Sequence, residues 1–136
     1  MIRRALLAVA MVLLSGHARA DVITDADCTK PQHAQKIINH CASLDFKAAD
    51  AKLSDVYEKT RAALQQYKSD KTRFEVAEQA WLQYRGTQCA YEAGMYDGGS
   101  LYSMVYTTCA KRLTDARIKE QRSFLACHLR VGKCEE

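Results

Sequence analysis

Leu53, Tyr57, Thr60, Leu64 and Tyr67 recur at steps of four and three, which puts them on one helical face. Lys52, Lys59, Arg61 and Lys68 fall off that stripe, and Ser69-Asp70-Lys71 interrupts it. Thr72 and Glu75 then stand at capping-box spacing, in which each side chain satisfies a backbone N–H at a helix start. Phe74, Ala77, Trp81, Tyr84 and Gln88 carry a second stripe. The pattern predicts helices over about 45–68 and 72–92, packed as an antiparallel hairpin with Trp81 and Tyr84 in the core. Gly94 and Asp97-Gly98-Gly99-Ser100 stop the second helix. Val105, Cys109, Leu113, Ala116, Glu120, Phe124 and Cys127 trace a final one, which Gly132 ends. Pro31, the only proline, suits the first turn of a short helix reaching about Cys41. No alternating strand pattern and no internal repeat occurs. The fold class read here is all-α: a small disulfide-stapled helical bundle of three main helices plus a short N-terminal helix.

The first twenty residues follow a different logic. Arg3 and Arg4 precede an apolar run from Ala5 to Leu14, and Ala18-Arg19-Ala20 places small residues at the two positions a signal peptidase reads. That run is too short to span a bilayer. Residues 1–20 therefore read as a signal peptide cleaved after Ala20, and residues 21–136 as one domain, periplasmic or secreted, without a membrane anchor. Cleavage removes three arginines and leaves 17 Lys+Arg against 16 Asp+Glu, so the formal charge falls from +4 to +1. A nearly neutral chain lacks the dense basic patch of a nucleic-acid binder.

All six cysteines, Cys28, Cys41, Cys89, Cys109, Cys127 and Cys134, lie in the mature chain. An even count in an exported domain reads as a disulfide set, with fifteen pairings open by count alone. No C-x-x-C occurs, and His33, His40 and His128 are scattered, so neither a metal site nor a redox dithiol is expected, and no cofactor. A nucleophile elbow and a phosphate loop are also absent, and the reading is non-enzymatic.

Several blocks together resemble the LprI-type lysozyme-inhibitor family of small exported bacterial domains. These are the early pair Cys28 and Cys41, Leu53 with Tyr57, and Gln79-Ala80-Trp81-Leu82-Gln83-Tyr84-Arg85 followed by Cys89. Gly98-Gly99-Ser100, Cys109, Leu113-Thr114 and Arg117 continue the pattern. Ser54 stands where the family commonly has Asn, Gly86 where it commonly has Asp, and the Cys127/Cys134 pair is additional. Cys89 and Cys109 flank the Gly-Gly loop and are paired on that ground. Cys127 and Cys134 are close in sequence and extra to the pattern, which leaves Cys28 with Cys41.

Arg85 and Arg117 are expected to pair with carboxylates at helix ends, and Asp45, Asp50 and Asp55, five apart, to be solvated. The loop between the last two helices stands out. From Gly86 to Ala110 there is no Lys or Arg, while Glu92 and Asp97 give a local acidic bias. Four of the seven tyrosines cluster there, at 91, 96, 102 and 106, around flexible glycines. Tyrosine supplies amphipathic contact area at low entropic cost. The candidate partner-binding residues are Tyr91, Tyr96, Asp97, Gly98, Gly99, Ser100 and Tyr102. The resemblance implies lysozyme as the partner, bound so that its substrate cleft is blocked. The other reading is a non-inhibitory envelope module for a cell-wall fragment or another exported protein. Oligomeric state stays open at this level.

Overall fold

The computed structural model describes residues 22–31 and 34–129, with side chains described as far as Cys127. The signal-peptide segment, His33, Gly132 and Cys134 lie outside the described residues. A short 3-10 turn, Asp25–Thr29, opens the chain, and three long helices follow: α1 (Gln35–Ala63), α2 (Lys68–Ala93) and α3 (Tyr102–Leu129). Among the described residues there is no strand.

The short N-terminal helix is thus the 3-10 turn, and the segment from Gln35 to Cys41 is the first part of α1 instead. Between Gln35 and Ala63 the chain has neither proline nor glycine, so nothing breaks the helix near Cys41. The turn holds itself by a capping box between Thr24 and Asp27, whose carboxyl is kept below the usual range by the Thr24 hydrogen bonds and by Lys30. Cys28–Cys41 ties it to α1 (Cα–Cα 5.5 Å).

The α1–α2 connection also falls earlier than the pattern implies. It occupies residues 64–67, closed by Tyr67 N–H donating to the Leu64 carbonyl, with Leu64 buried beneath. Ser69, Asp70 and Lys71 are already helical. The Thr72/Glu75 capping box does not form: the Thr72 hydroxyl donates to the Lys68 carbonyl one turn back, and the Glu75 carboxylate accepts from Arg61 (2.8 Å).

α3 packs most extensively on α1 and next on α2, while the backbones of α1 and α2 approach each other little. Cross-links fix the directions. Asn39 near the start of α1 meets Ser100 just before α3, so α1 and α3 run parallel; Arg61–Glu75 and Arg85–Asp50 set α2 antiparallel to both. Two long arginines therefore span the gap that short side chains would leave between α1 and α2.

The core has two centres. Leu53 and Val56 of α1 meet Ile118 of α3, with Trp81 and Leu125 against them; Cys89, Cys109 and Ala110 form the other, with Phe46, Tyr106 and Leu113 around it. The α1 stripe reads as expected through Leu64, while Tyr67 ends it half exposed. The other two stripes are rotated. On α2 the inward positions are Phe74, Glu78, Trp81, Arg85, Cys89 and Ala93, so Ala77 and Tyr84 face outward and Tyr84 is 51% exposed. On α3 Thr114, Ile118 and Gln121 are buried, and Ala116, Glu120 and Phe124 are not.

Candidate functional site

The loop end of the bundle begins where α2 passes into a 3-10 turn, Gly94–Tyr96. Asp97 N–H closes that turn on the Gly94 carbonyl, and the Asp97 carboxylate accepts the Gly98 N–H at 3.0 Å. Gly98 sits at φ +72°, which only glycine adopts without strain, so the reversal into α3 depends on it. At Gly99 a Cβ would come within 3.1 Å of the Tyr96 carbonyl oxygen, a tight contact that the backbone would have to shift slightly to relieve. The Ser100 carbonyl accepts from Asn39 Nδ2 at 2.9 Å, which anchors the turn to α1. Beneath it, Cys89–Cys109 joins the two helices at a Cα separation of 5.5 Å, buried on both sides.

The structure brings the candidate partner-binding residues to this one end but does not treat them alike. Tyr91 is 82% exposed, and Asp97, Gly98, Gly99 and Ser100 are exposed. Tyr96 is half-buried, and Tyr102 is drawn down onto Tyr106, their rings stacked at 6.2 Å. Two apolar members of the surface were not singled out from sequence: Met95, 81% exposed, and Leu101. Both are large apolar residues in a glycine-rich turn, and that was the available signal.

The acidic bias is smaller than the local sequence suggests. Glu92 accepts from Gln88 and from Arg112 of α3 (2.8 Å), and these contacts hold its carboxyl below the usual range. Arg112 lies twenty residues away in sequence, so a window ending at Ala110 does not register it. Asp97 remains the loop's exposed acid, with the Gly98 N–H as its hydrogen-bond donor.

Away from the loop runs a buried polar seam. Arg85 reaches Asp50 (2.6 Å) and the fully buried Thr114 hydroxyl (2.7 Å), and lies over the Phe46 and Trp81 rings at 5.1 and 5.2 Å. Arg117 covers Trp81 as well, at 5.6 Å, and donates to Glu78 Oε2 from Nε (3.1 Å) and Nη2 (2.9 Å). Gln121 Nε2 donates to the same oxygen at 2.6 Å. Burial works against the Arg117 charge, but Glu78 and Glu120 outweigh it and raise its pKa. These ion pairs lie mid-helix rather than at helix ends, and Asp50 is a partner of Arg85 rather than merely solvated. Arg85 bonds α1 and α3 through Nη1, and Arg117 bonds Glu78 and Glu120, so the seam ties the three helices together, while Glu78 Oε1 and the Gln121 side-chain oxygen stay buried without a hydrogen-bond partner.

A family profile described as "Lysozyme inhibitor LprI" matches residues 27–120, which takes in both disulfides described above, the loop and the seam apart from Gln121. The chain belongs to the LprI family. An uncharacterized protein of Rhizobium meliloti (strain 1021) is 30% identical over 112 residues, covering 74% of this chain and 80% of that one. A crystal structure of a DUF1311-family protein from Pseudomonas putida KT2440 superposes with a TM-score of 0.59 at 24% identity, over 67% of this chain and 92% of that one. That likeness speaks to the helical fold. Cys127, beyond the matched span, is disulfide-bonded, and its expected partner Cys134 lies outside the described residues. Among the described residues no three His, Cys, Asp or Glu side chains gather to hold a metal, and no helix is long and apolar enough to cross a membrane.

Proposed function

We propose that the mature protein binds lysozyme and blocks its cleft with the loop end of the bundle. Membership of the LprI family, whose profile is described as a lysozyme inhibitor, supports this class of activity. The observation that supports the site is the last turn of α2 and the hydrogen-bonded turn after it, which bring Tyr91, Met95, Tyr96 and Asp97 together above a buried disulfide. Preorganisation of this kind lowers the ordering cost of binding. Lysozyme cleaves between sugars held in a cleft lined by two carboxyl groups. A glycine-tight turn is narrow enough to approach such a cleft, with aromatic and thioether side chains for apolar contact. In this reading Ser100 donates a hydrogen bond to a catalytic carboxylate and Asp97 meets cationic groups at the rim. Residues 1–20 serve as the export signal, leaving residues 21–136 as the working domain.

The test is lysis of a peptidoglycan suspension by lysozyme, followed by turbidity with and without the purified oxidised mature chain. Inhibition that saturates near equimolar ratio is the expected result. No inhibition of any lysozyme class, alongside retention on purified cell-wall fragments, would favour the envelope-module reading. Export is checked by the intact mass of periplasmic material, expected to begin at Asp21.

A further inference from the structure

α2 carries a second stripe, on its outer side. Val76, Ala80, Tyr84, Thr87, Tyr91 and Met95 follow steps of 4, 4, 3, 4 and 4, so they share one helical face. All six are exposed, Val76 at 60%, Tyr84 at 51%, Tyr91 at 82% and Met95 at 81%. Gly94 keeps right-handed helical angles (φ −57°, ψ −32°), which carries the face on to Met95. None of the six is charged. Beyond Glu78 the only charged residues of α2 are Arg85 and Glu92, and partners from α1 and α3 engage both. The result is an uncharged, largely apolar strip about 30 Å long. A continuous patch of that kind on a small domain marks an interaction surface.

Its spacing says what fits it. The sequence of steps reads the same in both directions, so a two-fold axis midway between Tyr84 and Thr87 maps the stripe onto itself. An antiparallel copy then sets Val76 against Met95, Ala80 against Tyr91 and Tyr84 against Thr87. Every pair matches a smaller side chain with a larger one, as interdigitated helix packing requires. Steps of 4, 4 and 3 give eleven residues in three turns, a period at which helices stay in register without left-handed supercoiling. A face without charge also offers nothing to repel its own copy. We propose that α2 pairs with α2 of a second copy of this chain, antiparallel, through these six residues. Such an isologous contact closes on itself and does not propagate. A single helix pair buries on the order of 1,000 Å² in total, at the low end for specific interfaces, so the dimer is weak and concentration-dependent. Tyr96, Asp97 and Ser100 lie off the stripe, but Tyr91 and Met95 belong both to it and to the proposed inhibitory surface, so the dimer would cover part of that surface. The pairing is read from self-association alone, which does not require that the protein inhibit lysozyme.

Sedimentation equilibrium of the oxidised mature chain, from ~1 μM to ~1 mM, tests it. The expected result is a monomer–dimer equilibrium that Val76→Glu or Met95→Lys each weakens by about tenfold or more. Together the two substitutions restore it, because position 76 of one copy faces position 95 of the other. Within one chain these positions are about 28 Å apart, so a monomer cannot supply the rescue. Tyr84→Glu, at the axis, abolishes the dimer, and far-UV circular dichroism checks that each variant is folded. A chain that stays monomeric throughout overturns the proposal. So does a dimer indifferent to Tyr84→Glu, or a folded double variant that associates no better than the single ones.

Discussion

Glu78 occupies an inward position on α2 where a core-facing helix would ordinarily carry an aliphatic residue. It is 5% exposed, and its Oε2 receives donors from Arg117 and Gln121. Those donors replace water at Oε2 only; Glu78 Oε1 and the Gln121 side-chain oxygen are buried without a hydrogen-bond partner, so the site is only partly compensated. Glu78→Ala leaves Arg117 with the exposed Glu120 alone and should cost about 3 kcal/mol, read from the urea midpoint. Replacing Glu78, Arg117 and Gln121 together by Leu, Met and Leu should recover most of that loss, since the cost lies in orphaning a charge. A loss below about 1 kcal/mol for Glu78→Ala would put the pair in the class of surface salt bridges. Gly86 is the opposite case. It sits inside α2, and a Cβ there would meet only the Tyr106 hydroxyl oxygen at 4.0 Å. Gly86→Ala should therefore raise stability by about 0.5–1 kcal/mol, because the folded helix loses nothing and the unfolded chain loses freedom. The melting temperature should rise, and an unchanged or lower value would mean that the backbone at Gly86 is not ordinary helix.

At the scale of elements, α1 was legible in its second half, where Leu53, Thr60 and Leu64 of the inner face fall on the stripe, while buried Val56 and Ala49 lie off it and the first turns from Gln35 carried no signal that joined them to the helix. α2 was not, because its inner face alternates apolar groups with Glu78 and Arg85 while Val76, Tyr84 and Tyr91 point outward. A hydrophobic count there follows the wrong face by about one residue. The same happened on α3, where buried Thr114 and Gln121 read as polar and Phe124 as core. The loop end was legible for a different reason: adjacent glycines between two cysteines announce a turn whatever the helices do. What sequence did not reveal was its neutralisation by Arg112 and its anchoring by Asn39. The two staples should differ in worth. Cys89–Cys109 closes a separation of 20 residues between packed helices, so the double Ser variant should lose about 3 kcal/mol. Cys28–Cys41 secures a turn that buries none of its own residues, so serines there should fray the turn and leave the bundle's melting temperature nearly unchanged.

Across the whole molecule, three regions divide the work. The seam fixes how three helices meet, the outer face of α2 is left uncharged from Ala80 to Met95, and the loop end gathers the residues proposed to meet a partner. With residues 1–20 removed as proposed, 17 Lys+Arg against 16 Asp+Glu leave a formal charge of +1, which gives no long-range field to steer an encounter. In the proposed complex, affinity for lysozyme then comes from short-range contacts, chiefly the aromatic and thioether side chains at the loop end. Asp97 is the loop's exposed acid, so its contribution should appear in the association rate and fade with salt, while Tyr96 should appear in the dissociation rate. Tyr96→Ala should weaken inhibition by about 2 kcal/mol, roughly thirtyfold, and Asp97→Asn by less while flattening the salt dependence. Asp97 is exposed, so Asp97→Asn should melt like the wild type, while Tyr96 is half-buried, so Tyr96→Ala should melt somewhat lower but remain folded at the assay temperature. A folded variant carrying Tyr96→Ala, Asp97→Asn and Ser100→Ala that still inhibits fully would move the inhibitory surface off this end of the bundle. If the same variant kept its concentration-dependent dimer, self-association would rest on the α2 stripe alone, although Tyr91 and Met95 are common to both surfaces.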